Sequence, residues 1–479
     1  MKRVHAIILL LALIQPIQLL GQFPEDALRL STPGFGVGAR SLGMGNAYTG
    51  VANDFSALYW NPAGLAQMRY GEFSFGLSQL NFKDKSTFFS TQDSYTNNAT
   101  NLNTLGLTFP APVRRGSLVL AMGFARQGYF NTGLSFEGFN PISSIIQSYA
   151  PNGGVAPADP AGNIAWELFL ADTVGGRWRS PILDRVTQRG QVTEGGGVNN
   201  WSIGGAVDIG KNLSVGVALT YLSGSYKYNR TYVEQDQRNI YTTAAYPYDF
   251  KSLTIEEFID SDISGTSAKF GLLYRKPDRF RIGIAVKTPS WYHIREDFGT
   301  TGRSVLDSVS ATVTNMFGPF ESSGSGEYDV ISPWVFSAGV SAIYRDLVLS
   351  GDIDYTDWTQ LEFDDANPDL IALNKDFKSI FGATANWRLG LEYDFQELGI
   401  RARGGFMYNT SPYTRDQSSR FDQKYITAGL GVLLSESTML DVAYARGWWD
   451  TDRVNYDDTS RVLESITTNN FIMTFSFRY

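Results

Sequence analysis

The chain repeats short segments in which apolar and polar residues alternate. In the last one, residues 468–479, one face carries only large apolar side chains, namely Phe471, Met473, Phe475, Phe477 and Tyr479. A period of two residues indicates a β-strand with two unlike faces. Residues 213–221 and 279–289 show the same alternation, and helical periodicity is sparse elsewhere.

The alternating segments number fourteen, and their connectors alternate between short and long. The predicted strands are 71–82, 103–109, 117–130, 199–210, 213–230, 265–275, 279–289, 327–345, 347–361, 380–395, 399–408, 424–434, 438–449 and 468–479. Connectors such as 211–212 are tight turns, whereas 131–198 and 231–264 are long. An even number of strands, joined by connectors that alternate between short and long, is typical of bacterial outer-membrane barrels, whose short turns face the periplasm.

The physics of a bilayer favours the same fold. Every backbone amide in hydrocarbon needs a partner, so a membrane sheet must close on itself. Aromatic residues belong at both interfaces, and Tyr221, Tyr274, Tyr344 and Trp448 fall near predicted strand ends. The sequence therefore predicts an all-β, 14-stranded antiparallel transmembrane barrel in the outer membrane of a Gram-negative bacterium. A soluble all-β protein is the alternative.

The amino-terminal residues predict export. Lys2 and Arg3 precede an apolar run that ends before Gly21, which is the layout of a signal peptide over residues 1–21. Subtracting those two cations from 40 leaves 38 basic against 48 acidic residues, a formal charge of −10. Such a charge argues against nucleic acid as a partner. The sequence has no cysteine, so disulfides and thiolate metal sites are excluded.

About fifty residues separate the signal peptide from the first strand. They include "GMGNAYTGVANDFSALYWNPAGL" (43–65), which is too polar for a membrane helix and too rich in glycine for a core strand. A compact plug in the lumen would cover its aromatic side chains. We therefore predict that residues 22–69 form a hatch inside a barrel of residues 70–479.

The stretch 38–65 resembles the hatch of the FadL/TodX-type transporters of long-chain fatty acids and hydrocarbons. The resemblance rests on a run of small residues followed by Asn61, Pro62 and Ala63. Segments 332–361 and 387–413 are similar to the late strands of that family. The resemblance implies a monomer that captures hydrophobic ligands in its lumen and releases them sideways, with hatch rearrangement, beside a kinked third strand. Candidates for that kink are Gly123, Arg126 and Gly128, because Arg126 falls on the lipid-facing side of its predicted strand.

We select candidate binding residues for a ligand that has an apolar tail and an anionic head. Arg403 and Lys287 point inward by alternation and are the head-group candidates. The hatch candidates for the tail site are Phe55, Leu58, Tyr59, Trp60, Asn61, Pro62 and Ala63. The alternatives are a cross-lumen salt-bridge lattice for the cations and packing against the wall for the aromatic residues.

We expect passive uptake of hydrophobic compounds, either long-chain fatty acids or aromatic hydrocarbons. The alternative is a FadL-like barrel acting as a shuttle subunit of type IX secretion. A polar porin fits less well because a hatch would block it. An enzyme is disfavoured because His293 is the only imidazole beyond the signal peptide. No cofactor and no metal are expected, and the expected partners are outer-membrane lipid, lipopolysaccharide and the barrel-assembly machinery.

Overall fold

The computed structural model describes residues 24–242, 249–276, 279–307 and 315–479. The predicted signal peptide lies outside these residues. The helices are α1 (Pro24–Ser31), α2 (Ala39–Gly43), α3 (Ala57–Trp60), α4 (Ile146–Tyr149), α5 (Ile164–Glu167), α6 (Pro368–Ala372) and α7 (Asn374–Ile380). Short 3-10 helices cover Pro62–Gln67, Trp358–Gln360 and Gln396–Leu398. None of the helices in the described ranges is long and apolar enough to cross a bilayer.

The remaining chain is almost entirely β-structure. The strands are β1 (Glu72–Phe88), β2 (Thr91–Ala111), β3 (Leu118–Arg126), β4 (Gly133–Asn140), β5 (Asp172–Val174), β6 (Arg177–Arg179), β7 (Val186–Gly210), β8 (Leu213–Gln235), β9 (Asp249–Lys276), β10 (Phe280–Lys287), β11 (Trp291–Asp307), β12 (Asn315–Ile331), β13 (Val335–Tyr344), β14 (Leu347–Asp357), β15 (Glu362–Asp364), β16 (Ala383–Phe395), β17 (Ile400–Asn409), β18 (Gln423–Ser435), β19 (Thr438–Val454) and β20 (Arg461–Arg478).

The sheet closes into a barrel. Phe73 of β1 lies opposite Leu107 of β2 on one side and opposite Phe477 of β20 on the other. Each pair of neighbours around the wall is antiparallel. Four positions in the wall are filled by two segments each, namely β3 with β4, β10 with β11, β12 with β13, and β14 with β15. The described residues thus form the closed 14-stranded barrel that the sequence predicts.

Several predicted loops are strand extensions. Pairing of β8 with β9 runs without interruption from Leu213 opposite Tyr274 to Gln235 opposite Ser252. The outer face of these extensions is polar, so the alternation that marks a membrane strand is lost there. The barrel wall therefore continues well beyond the bilayer on the side of the long connectors.

The outer wall nearer the short turns is apolar. Exposed large side chains such as Ile203, Leu219, Phe270, Val340 and Leu389 face outward there. In a soluble protein this surface would be a large unfavourable patch, whereas in a bilayer it meets lipid tails. Three helices, α1 to α3, and the first 3-10 helix precede β1 and lie inside the lumen.

Candidate functional site

The hatch rests on a ring of glycines in the lumenal face of the wall. A Cβ atom at Gly283 would lie 2.1 Å from the carbonyl oxygen of Thr49, and one at Gly216 would lie 2.4 Å from the carbonyl carbon of Pro62. Any side chain at these positions would clash with hatch backbone. Other wall glycines whose Cβ would clash with the hatch are Gly106, Gly123, Gly204, Gly271, Gly339, Gly390 and Gly405. The wall and the hatch are therefore in close contact around most of the circumference, through hatch backbone at β8, β9, β10, β13, β16 and β17 and through hatch side chains at β2, β3 and β7.

Hydrogen bonds from the wall also hold the hatch. The Arg40 guanidinium donates two hydrogen bonds to the Glu392 carboxylate, at 2.8 and 2.7 Å. Asp352 accepts a hydrogen bond from the Thr49 backbone N–H at 2.6 Å. A truncated partner of such a buried pair would leave an uncompensated charge, which costs several kcal/mol. The hatch is thus anchored by interactions that are expensive to break.

The Asn61–Pro62–Ala63 motif also anchors the hatch to the wall. The Asn61 side chain accepts a hydrogen bond from the Ala63 N–H at 3.1 Å and so caps the 3-10 helix that Pro62 begins. Its amide donates to the carbonyl oxygens of Thr49, at 2.9 Å, and of Leu272 in the wall, at 3.2 Å. These three motif residues face the wall and do not line the lumenal cavity.

Above the hatch lies a lumenal cavity of 2410 Å³. It is larger than ordinary small-molecule pockets, which measure about 300–1,000 Å³. The hatch side chains Phe55, Leu58, Tyr59 and Trp60 line it. Further lining comes from aromatic residues of the extended strands and from α1, namely Leu28, Arg29, Phe258, Phe298 and Phe320. The cavity surface is therefore mainly apolar, but sixteen charged side chains of both signs also line it.

Two lysines lie side by side in the cavity wall. Lys269 of β9 and Lys287 of β10 are directly opposite in the antiparallel pairing, and both line the cavity. The Lys269 ammonium donates to the carbonyl oxygen of Tyr59 and lies 4.9 Å from that ring's centre. Lys287 has no carboxylate within 4 Å in the described part of the chain. Like charges directly opposite each other are unfavourable, so an anion placed between the two ammonium groups would relieve their repulsion.

A third cation lies close by but is already paired. Arg388 also lines the cavity, and its guanidinium lies 2.5 Å from the Asp354 carboxylate. Lys287 is one of the two head-group candidates from the sequence, whereas Lys269 was missed. Its inward alternation and its position opposite Lys287 could have identified it.

Arg403, the other head-group candidate, lies apart from the cavity. Its buried guanidinium donates to Glu392 at 2.7 Å and to Asp441 at 2.6 Å. Its side chain packs beside Gly43 of the hatch, on the side away from the cavity. Two carboxylates neutralise it, so the geometry favours the salt-bridge lattice for Arg403 and not a ligand contact.

The third strand is interrupted between β3 and β4. Pairing of β2 with β3 ends where Thr104 lies opposite Ala125, and β4 pairs with β7 but not with β2. The intervening segment 127–132 turns toward the hatch, because the Gln127 carbonyl accepts a hydrogen bond from the Gly34 N–H at 2.7 Å. A slot therefore opens in the wall between β2 and segment 127–132.

The kink candidates lie at or near this slot. The Arg126 guanidinium donates to the Gly196 carbonyl at 2.8 Å, and Gly128 lies within the interrupted segment. Gly123 lies inside β3, where a Cβ would be 2.6 Å from the Phe55 ring. Tyr129 fills the slot, and its hydroxyl lies 3.0 Å from the Ser78 hydroxyl and accepts from Asn103 at 3.1 Å. The sequence did not point to Tyr129.

A closed 14-stranded barrel with a plugged lumen and an amphipathic cavity defines an outer-membrane channel for hydrophobic compounds. A family model described as outer membrane protein transport protein (OMPP1/FadL/TodX) matches residues 197–479. The chain belongs to this family, whose members are transport channels rather than enzymes. A search of curated protein sequences finds no match.

Solved structures share the fold at low sequence identity. The toluene transporter TodX of P. putida is 14% identical with a TM-score of 0.56, over 93% of this chain and 99% of that chain. A FadL homologue of Pseudomonas aeruginosa is also 14% identical with a TM-score of 0.56, over 92% and 98%. The toluene transporter TbuX of Ralstonia pickettii is 15% identical with a TM-score of 0.50, over 93% and 99%.

Proposed function

We propose that the protein takes up an amphiphile with a long apolar tail and an anionic head, of which a long-chain fatty acid is the simplest. The observation that carries the proposal is the pair Lys269 and Lys287, neither of which has a carboxylate within 4 Å in the described residues, whereas the arginines that line the cavity are paired. A neutral aromatic hydrocarbon would leave both ammonium groups without an anion. Charge-assisted hydrogen bonds to a carboxylate are about twice as strong as neutral ones, so a fatty acid fits this cavity better.

The tail site is the hatch surface beside the two lysines. Tyr59 and Trp60 lie edge to face with ring centres 5.0 Å apart, and both line the cavity. Phe55 and Leu58 extend this surface toward β3 and β7. A carboxylate at Lys269 would therefore place its tail along the hatch aromatic residues.

Release goes sideways through the slot next to segment 127–132. Passage through the hatch would require breaking its ring of wall contacts, whereas the slot is closed mainly by the Tyr129 side chain. Gly34 is bonded to Gln127, and Gly38 donates to the Asn103 side chain at 3.0 Å. Opening the slot therefore requires a local rearrangement of hatch residues 34–38 and not loss of the plug.

The test is ligand binding to the purified barrel in detergent with three probes: palmitate, hexadecanol and toluene. Palmitate should bind most tightly, and Lys269→Gln/Lys287→Gln should weaken it by at least tenfold while leaving hexadecanol unchanged. Lys227→Gln is the matched control, because Lys227 is exposed and paired with Asp260 outside the cavity. Equal binding of palmitate and hexadecanol by the wild type would refute an anionic head-group site.

A secretion shuttle remains the alternative on this fold. That function requires a sealed lumen, with loops that bind protein. The lumenal cavity of 2410 Å³ supports uptake instead. Absence of binding by all three probes would favour the shuttle.

A further inference from the structure

One sector of the outer wall, formed by β18, β19, β20, β1 and β2, carries four cations without a carboxylate partner. They are Lys83, Lys85, Lys424 and Arg446, and we call them the basic patch. Lys83, Lys85 and Arg446 are exposed, and Lys424 is half-buried. Their strand neighbours Phe82 and Ala445 are buried, so the cations face outward. None lies within 4 Å of an acidic side chain in the described residues.

A row of polar side chains marks the height of this patch on the wall. The Tyr444 hydroxyl donates to Asn469 at 2.6 Å, Asn469 donates to Asn81 at 3.0 Å, and Asn81 donates to Asn98 at 2.8 Å. Amides are costly in hydrocarbon, so this outward row lies at the edge of the lipid tails. On the periplasmic side of the row, the outward residues of β20 are apolar, beginning with Phe471.

The four cations lie in this row or beyond it on the extracellular side. Arg446 is directly opposite Asn469 of the row. One in-register row of the sheet runs through Lys424, Trp448, Thr467 and Lys83. Three strand spacings separate Lys424 from Lys83, or about 14 Å. The basic patch thus extends about 14 Å across the wall and lies at head-group height.

Several exposed cations elsewhere on the extracellular part of the wall have acidic partners, whereas Arg189 of β7 and Arg303 of β11 are single exposed cations with no carboxylate within 4 Å in the described residues. Lys227 is 2.8 Å from Asp260, and Arg295 is 3.0 Å from Glu327. The chain as a whole is acidic, so a group of four unpaired cations on one sector stands out from the single ones elsewhere. Asp450 is the nearest carboxylate along β19, four residues beyond Arg446, and it forms no ion pair with the patch. An anionic group at this height on the wall would balance the charge.

We propose that the basic patch binds the phosphate groups of lipopolysaccharide in the outer leaflet. Phosphates on a sugar backbone match unpaired ammonium and guanidinium groups, and the sugar hydroxyls match the amide and hydroxyl side chains beside them. Trp448 and Tyr444 lie within the patch, where aromatic side chains favour the head-group region. The site is on the outside of the barrel, and it does not depend on the ligand in the lumen.

The test uses the detergent-purified barrel and two probes: bisphosphorylated lipid A and the same lipid with both phosphates removed. Native mass spectrometry or a binding titration gives the affinity. The wild type should bind the phosphorylated lipid at least tenfold more tightly, and binding should weaken as salt rises. The variant Lys83→Gln/Lys85→Gln/Lys424→Gln/Arg446→Gln should lose this preference.

The matched control is Lys227→Gln/Lys251→Gln/Arg295→Gln, which removes three exposed cations that have carboxylate partners. It should bind lipid A like the wild type. Heat-modified migration on a gel confirms that each variant is a folded barrel. Equal affinity of the patch variant and the control for phosphorylated lipid A would overturn the proposal, as would a wild type that does not distinguish the two lipids.

Discussion

Adding one methyl group at Gly283 tests whether backbone contact with the wall holds the hatch closed. In Gly283→Ala the new Cβ would lie 2.1 Å from the carbonyl oxygen of Thr49 and 2.9 Å from the Asn61 amide nitrogen. Ordinary contact begins near 3.4 Å, so the hatch must move by about 1.3 Å. That movement breaks the hydrogen bond from the Asn61 amide to the Leu272 carbonyl of the wall, which is 3.2 Å long.

The expected cost is the sum of two contributions. Overpacking of a filled interior costs about 1–3 kcal/mol. A buried polar group left without its partner costs about 1–3 kcal/mol more. Because 1.4 kcal/mol is a factor of ten, even the lower total of about 2 kcal/mol raises the open fraction of the hatch about 30-fold.

Single-channel conductance in a planar bilayer measures this opening. The matched control is Gly351→Ala, where the new Cβ would have only ordinary contacts, the nearest being 3.4 Å from Leu389. Gly390→Ala, whose new Cβ would lie 2.3 Å from the Met44 carbonyl oxygen of the hatch, provides a second test at another strand. If both hatch-facing variants fold and conduct no more ions than the control, glycine contact does not hold the hatch.

Two further predictions concern the hatch anchor and the slot. Arg40→Ala leaves the buried Glu392 carboxylate without one of its partners and should destabilise the hatch by about 3 kcal/mol. Hydrogen exchange of the hatch amides should then become faster. Arg295→Ala, which changes an exposed side chain, is the control and should leave the exchange rates almost unchanged. Tyr129→Phe removes the hydroxyl bonded to Asn103 and should accelerate fatty-acid uptake by proteoliposomes several-fold without raising ion conductance.

The membrane part of the fold could be predicted because its strands have two unlike faces. Lipid on one side and a filled lumen on the other impose a period of two, and this pattern gave all fourteen strands. The same rule explains what was missed. Residues 91–102 are polar on both faces, since both meet water or polar neighbours, and they read as a loop although β2 includes them.

The site was harder to predict, because alternation gives the direction of a side chain but not its height in the lumen. Arg403 and Lys287 both point inward, yet one lies on the far side of the hatch and the other faces the cavity. Lys269 becomes notable only through its pairing with Lys287, which depends on the register of β9 against β10. Register depends on turn geometry and packing that no single segment reveals.

A ligand could leave the cavity through the hatch or through the slot, and the two routes require different numbers of contacts to break. Passage through the hatch must displace backbone that touches wall glycines on many strands and must break the ion pair of Arg40. Passage through the slot needs movement of Tyr129 and of the few residues bonded to segment 127–132. If the ligand leaves through the slot, Tyr129→Phe should change the rate of uptake, whereas Gly283→Ala should change ion leakage more than uptake. If Gly283→Ala raised uptake and conductance together while Tyr129→Phe changed neither, the ligand would pass through the plug and the lateral route would be wrong.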